Sequence, residues 1–179
     1  MKHKKIAYIA SFGMLWGITE LVFGTWLHML HVPFKGSLLT AIGIYIILTG
    51  RKMIPGNDRS SLLSMAVICA VIKFFSIGMV PKPNIYMSIL IEAALAQAGL
   101  IIAGRTFSGY AFAGALAMLW PPASRILFFG VILGRDYMEF INQLSIGRGL
   151  AVGISAVVLL HLAAGVSAGA AAWRSKSEK

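Results

Sequence analysis

Glu20, Lys73 and Glu92 are ionisable residues set inside long apolar runs with almost no other charge near them. An ionised side chain in hydrocarbon is costly, so it faces a bundle interior or a water-filled cavity, where it marks a site for a substrate or ion. Two carboxylates and one ammonium around a common hollow can hold the polar or cationic part of a solute, with Lys73 balancing Glu92 or binding a solute carboxylate. A purely structural use competes with this. Lys73 and Glu92 fall on consecutive antiparallel helices and can neutralise each other, and removing either would leave an unpaired buried charge. Glu20 then has no second buried cation, so it holds a proton, accepts hydrogen bonds or binds a cationic ligand.

The remaining chemistry-bearing residues point less sharply. His28 and His31 flank the outer end of the first apolar run. Their i, i+3 spacing could hold a metal if the helix persists that far, although Pro33 follows closely and interfacial histidine is ordinary. Cys69 is the only cysteine, which excludes an intrachain disulfide and a cysteine-rich metal site. It reads as a small apolar filler. No resident metal or cofactor is expected. Trp26 and Trp120 sit at helix ends, as aromatic belts do, and either could also stack on a ligand beside His28. His161 lies mid-helix, placed to bond a neighbouring helix or to touch ligand. The chain has no His-Glu-x-x-His, glycine-rich phosphate loop or Gly-x-Ser-x-Gly, so an enzyme is not expected. With no ATP site, active transport would need a partner or an ion gradient.

These residues must be positioned in lipid. The chain has 179 residues, 58% hydrophobic and 12% charged, with mean hydropathy +0.81, against about 25% charged in a soluble domain. The net charge of +10 is not a nucleic-acid signal. The basic residues cluster between apolar runs, as membrane flanks do, and no RNA-binding or zinc-finger pattern is present. The lipid bilayer is the expected partner. The run after Met1-Lys2-His3-Lys4-Lys5 continues past signal-peptide length without a cleavage site, which predicts an uncleaved first helix.

Residues 1–179 therefore read as one all-α integral membrane domain, a bundle of six transmembrane helices. The helices are predicted at about 6–30, 37–50, 60–80, 85–104, 107–120 and 149–173. Breaks at His31–Gly36, Pro55-Gly56-Asn57-Asp58, Pro81-Lys82-Pro83-Asn84 and Pro121-Pro122 separate them. Ala123–Gly134 is too short to span easily and reads as re-entrant or interfacial, while the amphipathic stretch Arg135–Arg148 lies along the surface. A seven-span alternative has Ala123–Gly134 crossing. With six spans, ten Lys and Arg lie on the side of the termini and five on the other, leaving Lys73 buried. The positive-inside rule then puts both termini in the cytoplasm, for a protein of a bacterial cytoplasmic (inner) membrane.

Depth brings the charges together. At 1.5 Å per residue, Glu20 lies about 21 Å and Lys73 about 20 Å from the cytoplasmic side, and Glu92 about 11 Å below the outer surface. In a core about 30 Å thick, all three fall in the outer half. Each also lies on a small-residue stripe: Ala10, Gly13, Gly17, Glu20 and Gly24; Ala66, Cys69, Lys73 and Ser76; Ser88, Glu92, Ala96, Gly99 and Ala103. Small residues mark close helix contact in lipid, so the charges are expected to point into the bundle.

The layout resembles a known family. Gly17-Ile18-Thr19-Glu20-Leu21-Val22-Phe23-Gly24, then His31-Val32-Pro33-Phe34-Lys35-Gly36, then Ala41-Ile42-Gly43 to Gly50-Arg51 look like segments of small bacterial membrane proteins. The whole is similar to the substrate-binding S components of energy-coupling factor transporters. That resemblance covers most of the chain by architecture and the first two helices by motif. It implies binding of a small solute such as a vitamin or cofactor precursor near the outer face, and docking through the first helix onto a membrane scaffold subunit driven by ATPases. Family members often carry Ala-x-x-x-Ala there. This chain has Ala7-x-x-x-Ser11 and Gly13-x-x-x-Gly17, so docking would fall to Ala10, Gly13 and Gly17. The Met-His start of metal-specific members is absent. The expected site is Glu20, Lys73 and Glu92 with His28, Trp26 and Trp120, under a lid from His31–Gly36 and the segment after Pro122. Two rival classes are a non-catalytic assembly subunit and a small intramembrane enzyme acting on a lipid or isoprenoid, with Glu20 or His161 as base.

Overall fold

In an apolar medium every backbone N–H and C=O must be paired within its own segment, so the apolar runs coil. The computed structural model describes residues 2–31, 35–54, 56, 60–75, 83–124, 127 and 147–175. Among them the chain is all helical, with no strand. The elements are α1 (Lys2–Met29), α2 (Lys35–Met53), α3 (Ser61–Phe74), α4 (Pro83–Ala103), α5 (Phe107–Met118) and α6 (Gly147–Arg174).

The differences from the sequence expectation lie at helix ends. α2 runs on through Arg51 and Lys52, because cations are favoured in a last turn, where they meet unpaired carbonyls. α3 ends at Phe74, earlier than expected; Phe75 N–H closes the turn on the Val71 carbonyl at 3.2 Å. α4 ends where Gly104 turns at φ +75°, a conformation glycine adopts without strain, its N–H on the Leu100 carbonyl at 3.0 Å. Thr106 caps α5, accepting from the Gly109 N–H at 3.0 Å. Residues 120–124 are helical again after a turn at Leu119. Pro121 and Pro122 thus stand in the first turn of that stretch, where a missing N–H costs nothing. The expected re-entrant segment Ala123–Gly134 and surface segment Arg135–Arg148 lie outside the described residues, apart from 123, 124, 127, 147 and 148.

Among the described residues three stretches are long and apolar enough to cross a membrane: His3–Leu27, Asn84–Ala103 and Gly153–Arg174, with mean hydropathies of 1.6, 1.9 and 1.9. That fits a membrane protein. Their outward side chains agree, since Ile18, Val22 and Ile102 are all more than half exposed. α3, at 14 residues, is about 21 Å long.

α2 is the hub. It touches each of the other five helices, which follow one another around it in the order α1, α3, α4, α5, α6. Glycines allow this crowding. A Cβ on Gly50 would come within 2.6 Å of the Phe12 ring, and the indole nitrogen of Trp16 lies where a Cβ on Gly43 would stand. α5 and α6 cross most closely. A Cβ on Gly114 would meet the Gly165 backbone, and one on Gly169 would meet the Tyr110 carbonyl. Small residues at such crossings let dispersion contacts accumulate where lipid supplies no hydrophobic drive.

Candidate functional site

The site is assembled by the α1–α3 crossing. Gly13 and Gly17 are buried against α3: a Cβ on Gly13 would lie 2.9 Å from Ile68 Cβ, and one on Gly17 would lie 2.8 Å from Ile72 Cδ1. The approach carries the next α3 side chain, Lys73, across to α1. Its Nζ lies 2.7 Å from Glu20 Oε2 and donates to the Glu20 carbonyl at 3.2 Å. The Lys73–Glu92 pair expected from sequence is therefore corrected: the ion pair is Lys73–Glu20, and Glu20 does have a buried cation. The reason is azimuth. α3 packs against both α1 and α4, and the glycine face of α1 brings its backbone nearest to Lys73.

The same contacts place the residues expected to dock a partner. Gly13 and Gly17 face α3 within the chain, and Ala10 is half-buried two turns before Gly17. The exposed face of α1 carries Met14, Leu15, Ile18 and Val22 instead.

Glu92 takes a different partner. Thr40 Oγ1 on α2 donates to Glu92 Oε1 at 3.2 Å, and Glu92 is only 6% exposed. Between these groups lies a cavity of about 390 Å³, within the range of small-molecule sites. Glu20, Leu21, Gly24 and Thr25 line it from α1; Lys35, Gly36, Ser37, Leu39 and Thr40 from α2; and Lys73 from α3. Asn84, Ile85, Ser88, Ile89 and Glu92 of α4 complete it, with Pro121 and Ser124 beyond α5. All three charges singled out in the sequence border this one hollow.

Two further bonds stiffen the walls. Ser37 Oγ lies 2.6 Å from His161 Nε2, and His161 Nδ1 lies 2.7 Å from the Val157 carbonyl. With Nδ1–H donating to that carbonyl, Nε2 is the acceptor for the Ser37 hydroxyl. His161 thus ties α6 to the start of α2. Trp120 Nε1 donates to Ser88 Oγ at 3.0 Å, so Trp120 braces the wall from behind without lining the cavity.

The other expected contacts fall elsewhere. Trp26 is 61% exposed on α1 and does not line the cavity. The His28 side chain lies outside the described residues. His31 is exposed, has φ +51° and sets Nδ1 3.0 Å from the Met29 carbonyl. Among the described residues no three His, Cys, Asp or Glu side chains gather as a metal site requires. Cys69 is fully buried in the core. Of the expected lid, Gly36 and Ser124 line the cavity, while 32–34 lie outside the described residues.

Sequence reasoning missed the hydroxyl and amide lining: Ser37, Thr40, Asn84, Ser88 and Ser124. One signal was available, since Ser37 and Thr40 share a helix face three residues apart, and Ser88 lies one turn before Glu92. No protein-family model, curated protein or solved structure matches this chain.

Proposed function

We propose that this chain is a membrane-embedded binding subunit for uptake of a small polar solute, working with a separate energising module. One observation carries the reading. Glu20, Lys73 and Glu92, from three helices, border a single cavity large enough for a small molecule. Intramembrane ionisable groups are expensive, and gathering three of them around open volume suits ligand binding. The mixture of charged, hydroxyl and apolar lining matches what orients a ligand while desolvating it.

The membrane frame belongs to the same proposal. Six spans form the bundle. The cavity opens toward the outside of a bacterial inner membrane, and both termini lie in the cytoplasm. Supporting this, Lys4, Lys5, Arg51, Lys52, Arg105 and Arg174 lie toward the end away from the cavity, as the excess of cytoplasmic Lys and Arg requires. The resemblance to S components of energy-coupling factor transporters supplies the expected partners, a scaffold subunit and ATPases. Because Gly13 and Gly17 are occupied by α3, a scaffold would meet the apolar face of Met14, Ile18 and Val22 instead.

The test is purification in mild detergent followed by mass spectrometry of the intact complex. The expected result is one small solute per chain, and co-purification of ATPase-bearing subunits from native membranes. A protein that carries no small molecule, in every mild detergent tried, would sink the reading. A reporter fused after Lys179 and found outside the cell would reverse the orientation.

A further inference from the structure

Resting on that reading, we infer that the solute carries a positively charged nitrogen, and that Glu92 with Thr40 is the subsite that holds it. Of the two carboxylates on the cavity, Glu20 already has the Lys73 ammonium at 2.7 Å. Glu92 has a hydroxyl only: Thr40 donates to Oε1 at 3.2 Å, and no hydrogen bond from any described residue reaches Oε2. Glu92 is nevertheless 94% removed from solvent, being 6% exposed, and it borders the cavity. An ionised carboxylate buried without an ion-pair partner is a high-energy group, relieved either by a proton or by a cation. The open volume beside it is where a countercharge can come from.

The cavity's other cation, Lys35, begins α2 and makes no ion pair with Glu92. Lys73 is held on the α1 side by two bonds to Glu20, one to the carboxylate and one to the backbone carbonyl. An ammonium or amidinium group entering the hollow would meet Glu92 Oε2 in a charge-assisted hydrogen bond, the strong kind in a desolvated site. Ser88, one turn before Glu92 on α4, also lines the cavity, and its hydroxyl oxygen accepts from Trp120. Ile85, Ile89 and Leu39 supply apolar contact for the body of the solute. The substrate class is therefore a small organic cation or zwitterion with an apolar portion, its nitrogen seated at Glu92.

Mass spectrometry of the full-length chain in mild detergent tests this with three variants beside wild type. Wild type is expected to carry a solute with a basic nitrogen. Glu92→Gln should lower its occupancy at least about thirtyfold, the effect of truncating one partner of a buried charge pair. Thr40→Val should lower it severalfold, and gives a readout if Glu92→Gln fails to fold. Leu160→Ala, on the outer face of α6 where Leu160 is 58% exposed, should leave it unchanged. A bound solute lacking any basic nitrogen overturns the inference while leaving the binding-subunit reading intact. So does full retention by Glu92→Gln or, where that variant does not fold, by Thr40→Val. A wild-type chain with no solute removes both.

Discussion

The two ends of the bundle handle charge in opposite ways. At the end where α2, α4 and α6 finish, cations meet backbone carbonyls. Arg105 donates to the carbonyls of Gly56 at 2.6 Å, Arg51 at 3.2 Å and Ile54 at 3.2 Å. Arg51, 2% exposed, donates to Ile54 and Gly56 as well. Lys52 bonds the carbonyls of Trp173 and Ser175 and lies 5.1 Å from the Trp173 ring centre. These contacts satisfy orphan carbonyls at helix C-termini and oppose the negative end of the dipole. Among the described residues no carboxylate lies at that end, since the only two are Glu20 and Glu92. At the cavity end, charge meets side chains and empty space, with one carbonyl, that of Glu20, taken by Lys73. Cations that satisfy carbonyls in this way are structural. A carboxylate held by one hydroxyl beside open volume is available to bind.

Breaking each end should separate these roles. The largest effect is expected from Lys73→Met. It strands Glu20 and should cost about 4 kcal/mol, read as unfolding in detergent, whereas adding Glu20→Gln should recover more than half. A double variant as unstable as the single one would show that the pair is not the source of the loss. Next comes the α5–α6 crossing, whose glycines do not line the cavity. Gly165→Val places a side chain on the Gly114 backbone and should cost about 3 kcal/mol without changing solute occupancy in the protein that remains folded. Arg105→Ala should cost about 2 kcal/mol through its lost carbonyl bonds, and Arg105→Lys should rescue little, because an ammonium lacks the guanidinium fork. A full rescue by lysine would reduce the clamp to simple charge. The smallest change is Ser37→Ala, about 1 kcal/mol for one hydrogen bond. Saturating solute should offset part of it, an effect absent from Arg105→Ala.

Much of the cavity end was legible in the chain. Charge inside an apolar run is visible without a structure, and a rise of 1.5 Å per residue set the three groups at one depth. The same arithmetic could not choose between Glu20 and Glu92 as the partner of Lys73. Both are near it in depth, and the choice depends on rotation about the helix axes. That rotation was set by Gly13 and Gly17 receiving Ile68 and Ile72. The glycine stripe was read correctly as a close-contact face, but its occupant proved to be α3 of the same chain. The histidines show the converse. Sequence alone leaves His161 between two roles, because nothing in it places that ring 2.6 Å from a serine 124 residues away.

The sequence by itself determined that the chain is helical, that its apolar stretches suit a membrane, and that Glu20, Lys73 and Glu92 have to be sheltered. Those properties follow from composition and from the pairing demanded of every peptide group in an apolar medium. Only the tertiary structure decided which acid Lys73 neutralises and which is held by a hydroxyl alone. Hydrogen bonds and ion pairs are made or lost over a fraction of an ångström, and only the packing of whole helices sets distances that finely.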